Sequence, residues 1–255
     1  MSQVEEKLAK SLTAESVELI PFLPYLLCDL WELGSSPTDI IYLIKKHIKK
    51  PEQMKVLDLA CGKGAVSVQL AKQIGCQVKG IDITLEFIEF ARKKAKELGV
   101  ECLCEFQVED INESVNIEKN YDLVILGSVG DVLGNPEETI LKLKNIINPG
   151  GWIIIDDAYG KDGVNIDYYS KNEWCAIFNK TNVKLVEEVF VNDDALIDLN
   201  REQQDFIVKR AKELIEQYPE KASLFESYIQ SQQAECDELE NHMTVVTLLL
   251  KAIEK

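Results

Sequence analysis

The run Asp58-Leu59-Ala60-Cys61-Gly62-Lys63-Gly64 places an acid, a thiol and two closely spaced glycines at the end of an apolar stretch that begins at Val56. Without a Cβ, such glycines let the backbone take left-handed dihedrals and approach a ligand closely. The helix expected from Ala65 leaves its first amides free to point at whatever is bound. This is chemistry for holding a ligand, not for breaking a bond. A turn for a nicotinamide dinucleotide normally carries a third glycine in the order Gly-x-Gly-x-x-Gly. Here Ser67 stands in that place and Asp58 precedes the turn, which disfavours a dehydrogenase.

Two further acids follow at the ends of apolar runs. Asp82 closes Gly80-Ile81-Asp82-Ile83, where a carboxylate can accept hydrogen bonds from both hydroxyls of a ribose, because neighbouring strand ends in an α/β sheet open onto one crevice. Glu109-Asp110-Ile111 ends the next run, where a carboxylate can receive an adenine amino group, although an acid there also serves as a helix cap.

The elements that must position these residues alternate. Short apolar runs at Lys55 to Leu59, Gln77 to Ile81, Cys104 to Val108, Tyr121 to Leu126 and Trp152 to Asp156 read as strands. Helical stretches at Ala65 to Gln73, Leu85 to Leu98 and Pro136 to Ile147 lie between them, the last ending in the turn Asn148 to Gly151. That alternation specifies a parallel sheet covered on both faces. Ahead of it, Ser36-Pro37-Thr38-Asp39 starts a helix with Ile40, Ile41, Leu43, Ile44 and Ile48 on its apolar side, while Pro21 and Pro24 divide Glu15 to Leu33 into two short helical pieces. Lys184 to Val191 and Thr244 to Ala252 read as the final strands. The residues between them are helical: Asn200 caps one stripe of Ile207, Ala211, Leu214, Ile215 and Tyr218, and Phe225, Ile229, Cys236 and Leu239 form another.

The ordered set resembles the class I S-adenosylmethionine-dependent methyltransferases, closest to the compact enzymes related to ubiquinone and menaquinone biosynthesis. It consists of the Asp58 to Gly64 turn, Asp82, Glu109-Asp110, Tyr121-Asp122 and Pro149-Gly150-Gly151, and covers residues 36 to 160. Ala60 stands where glycine is commoner. The resemblance implies a doubly wound seven-stranded sheet, parallel except for the last strand, in one domain: a helical cap over 1–50, a core over 51–191 and 243–255, and a helical insertion over 192–242. It implies S-adenosylmethionine as cofactor. Asp58, Ala60, Cys61, Gly62 and Gly64 would line its methionine part, Asp82 and Ile83 its ribose, and Glu109, Asp110 and Ile111 its adenine. Leu126, Gly127 and Ser128 would lie beside the sulfonium.

Methyl transfer from a sulfonium needs alignment and exclusion of water more than a fixed triad. Where the acceptor must lose a proton, a base is expected near the carboxyl ends of the fourth and fifth strands. Asp131 follows the fourth, and Asp156, Asp157 and Tyr159 follow the fifth; His242 precedes the last. Asp131, Asp157, Tyr159 and His242 are therefore the catalytic candidates. His47, among Lys45, Lys46, Lys49 and Lys50, reads as solvated surface. Trp174 and Phe178, with Tyr168 and Tyr169 nearby, read as an aromatic lid or as helical core. The N-terminal helices, the stretch from Tyr159 to Phe178 and the insertion are expected to roof the acceptor site.

Composition narrows the partners. With 28 basic against 44 acidic residues and a net charge of −16, the chain would repel a phosphate backbone, so no nucleic acid is expected. A negative rim favours a neutral or cationic small-molecule acceptor. No apolar run approaches the ~20 residues that span a bilayer, and MSQVEEKLAK lacks a signal core, so no membrane partner and a cytoplasmic location are expected. Seven cysteines without a CxxC pair, and only two histidines, form neither a disulfide framework nor a metal site. A module that binds or senses S-adenosylmethionine without turnover is the alternative reading.

Overall fold

A computed structural model describes residues 3–161 and 168–253. The chain folds as two compact units: a sheet unit of Glu32–Asp157, Tyr169–Phe190 and Val246–Lys255, and a helical unit of Met1–Trp31, Ala158–Tyr168 and Val191–Val245.

Seven strands form one sheet: β1 (Lys55–Leu59), β2 (Gln77–Asp82), β3 (Cys104–Val108), β4 (Tyr121–Gly127), β5 (Ile147–Gly160), β6 (Val183–Phe190) and β7 (Met243–Ala252), in the order β3-β2-β1-β4-β5-β7-β6. The strands from β3 across to β5 pair parallel, and β7 runs antiparallel to β6, as expected for this architecture. The reason lies in the side chains: Val56, Leu57, Leu123, Val124, Ile153 and Ile154 are buried, as strands covered on both faces require.

Helices α4 (Ala65–Gln73) and α5 (Leu85–Glu97) fall at their expected places. The helix α3 (Pro37–His47) belongs to the sheet unit; Ser36 caps it by accepting from the Asp39 amide, and Ile40, Ile41, Leu43 and Ile44 are buried. A short helix, α6 (Ile111–Ile117), was not anticipated, since it is too brief to show a period.

Several expectations are corrected. The helix α7 (Pro136–Lys144) stops short of Ile147, because Ile147 already pairs with Tyr121 on β4. The register then shifts, with Gly150 at φ +66°, before Trp152 rejoins opposite Leu123, so the Asn148 to Gly151 turn lies inside β5. β5 also runs on to Gly160, so Asp157 and Tyr159 are strand residues and do not follow the strand, while Asp156 lies in the strand where it was read. His47 is half-buried and pairs with Glu187, which also takes the Lys46 ammonium, so it is not freely solvated. In α8 (Lys171–Lys180), Trp174 and Phe178 are buried with ring centroids 5.6 Å apart, which is core packing and not a lid.

The helical unit contains α1 (Gln3–Ser11), a 3-10 segment (Val17–Phe22), the single turn α2 (Leu23–Leu26), α9 (Asp193–Gln217) and α10 (Ala222–His242). Asn200 does not cap a helix. Asn192 does, by accepting from the Ala195 amide, and the acids Asp193 and Asp194 complement the helix dipole there. Asn200 is buried mid-helix and donates to Glu240 of α10 at 2.9 Å. Phe22 meets Tyr218 and Phe225 edge-on at 5.5 and 5.0 Å, and Arg210 pairs with Asp29. Of the stretch from Tyr159 to Phe178, residues 162–167 lie outside the described residues. Among the described residues no helix is long and apolar enough to cross a membrane.

Candidate active site

The turn between β1 and α4 is built on left-handed backbone. Ala60, Gly62 and Gly64 have φ of +54°, +53° and +72°. Left-handed φ is uncommon for alanine, and a run of such residues marks a place where the chain is held for a purpose. A Cβ on Gly64 would lie 2.6 Å from that of Ala91, so this glycine lets α4 and α5 close on the sheet. A Cβ on Gly62 would meet only the Leu33 side chain, at 3.3 Å. The Cys61 thiol is turned toward Gly80 and held far from ionisation by burial.

Two acids lock this turn in place. Asp82, at the tip of β2, accepts from the Gly62 amide at 2.9 Å and from the Thr84 amide at 2.8 Å, so it ties the turn to the start of α5. Asp58 is buried in β1 and accepts from the Ser67 hydroxyl at 2.6 Å. Burial pushes the Asp58 carboxyl up to about 7, with the Ser67 bond opposing and the charges of Asp156 and Asp82 adding. Ser67, met first as a departure from a glycine pattern, is therefore the partner of the acid. Lys63, also buried, sets its ammonium over the Phe90 ring at 4.9 Å.

The third strand tip behaves differently. Asp110 caps α6, accepting from both nitrogens of Asn112, which occupies one of its oxygens. Glu109 is half-buried and bonded by its amide to the Asp82 carbonyl, and Ile111 is buried at the first turn of α6. Ile83 is half-buried immediately after Asp82.

At the end of β4, Leu126 is buried, Gly127 stands opposite Asp156 of β5, and Ser128 turns out at φ +53°. The chain entering α3 crosses these tips. Leu33 lies over Gly62; Gly34 is so close to Ser128 that a Cβ would meet that of Ser128 at 2.7 Å; and the Ser35 hydroxyl sits where a Gly127 side chain would be. Sequence reasoning missed this strap, for which the pair of small residues Gly34 and Ser35 was the available signal.

Asp131 is exposed after β4, and Asp157 is half-buried in β5. Tyr159 is buried, and His242 is the exposed last residue of α10. Asp131 and Asp157 belong to the sheet unit, Tyr159 and His242 to the helical unit. Asp156 is the residue whose place was underestimated: it is buried, with no basic group beside it and only the Ser35 and Thr247 hydroxyls near its oxygens, neither in good hydrogen-bond geometry. Among the described residues no cluster of potential metal ligands occurs.

An α/β sheet of this order, with a glycine turn after its first strand and acids at the next two tips, is the methyltransferase fold. Residues 50–206 match the family described as a methyltransferase domain, and the chain belongs to that family. It is 34% identical over 161 residues to the ribosomal protein L11 methyltransferase of Dictyoglomus thermophilum, covering 60% of this chain and 46% of that protein. It is 33% identical over 123 residues to the ubiquinone biosynthesis O-methyltransferase of Rickettsia felis, covering 47% and 49% respectively. The chain thus spans about half the length of these curated relatives. Among solved structures, an S-adenosylmethionine-dependent methyltransferase of Geobacter sulfurreducens, crystallised with S-adenosyl-L-homocysteine, superposes with a TM-score of 0.77 at 20% identity, over 91% of this chain and 98% of that one.

Proposed function

We propose that this protein transfers a methyl group from S-adenosylmethionine to a neutral or cationic small molecule. The observation that carries the reading is the left-handed turn Ala60-Cys61-Gly62-Lys63-Gly64, fastened by Asp82 and flanked by buried Asp58. The residues suit the group: the donor is a cation, and Asp58, Asp82 and Asp156 have no basic partner among the described residues. When bound, S-adenosylmethionine supplies a methyl group already activated as a sulfonium.

The chain's own residues hold and enclose. Asp58 and the closely approaching backbone of the turn would take the methionine part, and Asp82 would use its remaining lone pairs on the ribose. The Glu109 to Ile111 corner would take the adenine, and Leu126 to Ser128 would border the transfer site. Leu33 to Ser36 would keep water from it. Asp131, Asp157, Tyr159 and His242 remain the candidates for accepting a proton from an acceptor, with single substitutions as the way to sort them.

The relatives are named for methylation of ribosomal protein L11 and for ubiquinone biosynthesis. The net charge of −16 favours an acceptor that is not an anion. The test is release of S-adenosylhomocysteine by the purified protein, screened against a metabolite library and against ribosomal protein L11. Turnover with a small molecule supports the proposal. Turnover only with L11 overturns its acceptor class, and binding of the donor without turnover on any acceptor leaves a sensing module.

A further inference from the structure

Asp156 is an anomaly in this fold. It directly follows the run Ile153-Ile154-Ile155 in β5 and is buried; the Ser35 and Thr247 hydroxyls are its nearest polar neighbours, but neither makes a hydrogen bond of good geometry to it. A buried carboxylate without a partner is costly, and folds keep one only where something else supplies the compensation.

Strand register shows where that compensation is aimed. Asp58 stands beside Ile125, and Ile125 beside Ile154, so Asp58 and Ile154 point to one face of the sheet. Asp156, two residues beyond Ile154, is on that same face, one pleat closer to the carboxyl edge. Asp82 shares that face and that level, since Gly80 is the register partner of Asp58. The two acids Asp58 and Asp156 are two strand spacings apart across the sheet and one pleat apart along it, roughly 12 Å, on either side of β4. Between them Gly127 offers no side chain, and the Ser35 hydroxyl takes the space beside the Asp156 carboxylate. The groups around Asp156 are Asp39 of α3, Asp157 of its own strand, Asp58 of β1, and the hydroxyls of Ser35 and Thr247; none is basic.

We infer that Asp156 is the counter-charge for the sulfonium of the methyl donor, and that it makes the site prefer the cationic donor over its uncharged thioether product. This rests on the reading of the site as one for S-adenosylmethionine. The donor and product differ by one positive charge at sulfur, so a fixed anion in a dry site discriminates between them where shape cannot. In the empty protein burial lifts the Asp156 carboxyl to about 6, with the Thr247 and Ser35 hydroxyls opposing and Asp39 and Asp157 adding. A cation beside it favours the ionised form, so donor binding releases a proton when the pH is near or below that value. The uncharged thioether product would lack the attraction that the sulfonium has for this carboxylate, so it would be held less tightly than the donor.

The experiment is calorimetry with S-adenosylmethionine and S-adenosylhomocysteine on the wild type and on Asp156→Asn, between pH 5.0 and 7.5. The wild type is expected to prefer the donor at pH 7.5 and to lose about tenfold of that preference by pH 5.0. Asp156→Asn is expected to weaken donor binding about tenfold at pH 7.5 and to leave product binding within about threefold. Equal weakening of both ligands, or no change in either, overturns the inference while leaving the methyl-donor reading intact. A wild type that binds neither ligand overturns that reading, and this inference with it. Asp156→Ser repeats the comparison should the amide variant fail to fold.

Discussion

Asp58 carries its carboxylate where water does not reach, and the consequence is a pH-dependent stability. Its folded-state value of about 7 lies above the unfolded 3.8, so the folded state holds the proton more tightly. The associated stability is complete below the unfolded value and is lost as pH rises toward 7. Asp58→Asn is therefore expected to raise the thermal stability of the empty protein at pH 8, by on the order of 2–4 kcal/mol, and to have little effect at pH 4. Thermal unfolding at the two pH values checks this, and a variant that melts lower at pH 8 refutes it. Asp82 differs, because its oxygens already hold the Gly62 and Thr84 amides. Asp82→Ala should then lose donor affinity by calorimetry and also about 1–3 kcal/mol of stability, since it leaves two amides without their acceptor. An unchanged affinity would remove Asp82 from the site.

At the scale of elements, the β1–α4 turn separates two glycines that look equivalent in sequence. Gly64 is left-handed and backs directly onto Ala91 and Phe106, so a methyl group there has no room. Gly62 is left-handed too, but faces one flexible leucine. Gly64→Ala is expected to destabilise the fold by more than about 2 kcal/mol, and Gly62→Ala by about 1 kcal/mol, the cost of the left-handed backbone alone. Gly62→Val, with a branched side chain in that conformation, should abolish donor binding. Denaturant midpoints rank the alanine variants, and the reverse ranking would mean that the turn repacks. The strap from Leu33 to Ser36 belongs to this scale as well: it owes its path to the absence of side chains at Gly34, Gly62 and Gly127.

For the whole molecule, the helical unit behaves as one packed body, because residues distant in sequence complete each other. Phe22 packs on Tyr218 and Phe225, Leu19, Leu23 and Leu26 are buried, and Arg210 holds Asp29. Replacing residues 193–241 with a short turn would strip those N-terminal leucines of their partners, and such a chain is expected to aggregate. Removing residues 1–31 together with 193–241 takes away both halves of that packing. This shorter chain is expected to bind S-adenosylmethionine within about threefold of the intact protein and to lose methyl transfer. Calorimetry and S-adenosylhomocysteine release check the two parts, and full turnover by the shortened chain would refute a role of the helical unit in acceptor choice.

What could be read from residues alone was whatever depends on local pattern. The apolar runs of β1 to β4, the helices α4 and α5, the glycine turn and the acids at the strand tips all declare themselves within a few neighbouring residues, because strand and helix periods and turn chemistry are local properties. The brief α6 and the true extent of β5 were not legible: one is too short for a period, and the other is decided by pairing with β4 across the Pro149-Gly150 irregularity. The start of α9 at Asp193 was equally hidden, since Asn192 and Asn200 are both competent caps and burial of Asn200 against Glu240 chose between them. Asp156 shows the division most clearly. In sequence it is an acid at the end of an isoleucine run, equivalent to its neighbour Asp157. Only the register that sets it beside Gly127, on the face of Asp58 and beneath Ser35, decides that it is the buried one with no basic group beside it. Burial and partnership are set by contacts between strands far apart in the chain, and no local pattern encodes them.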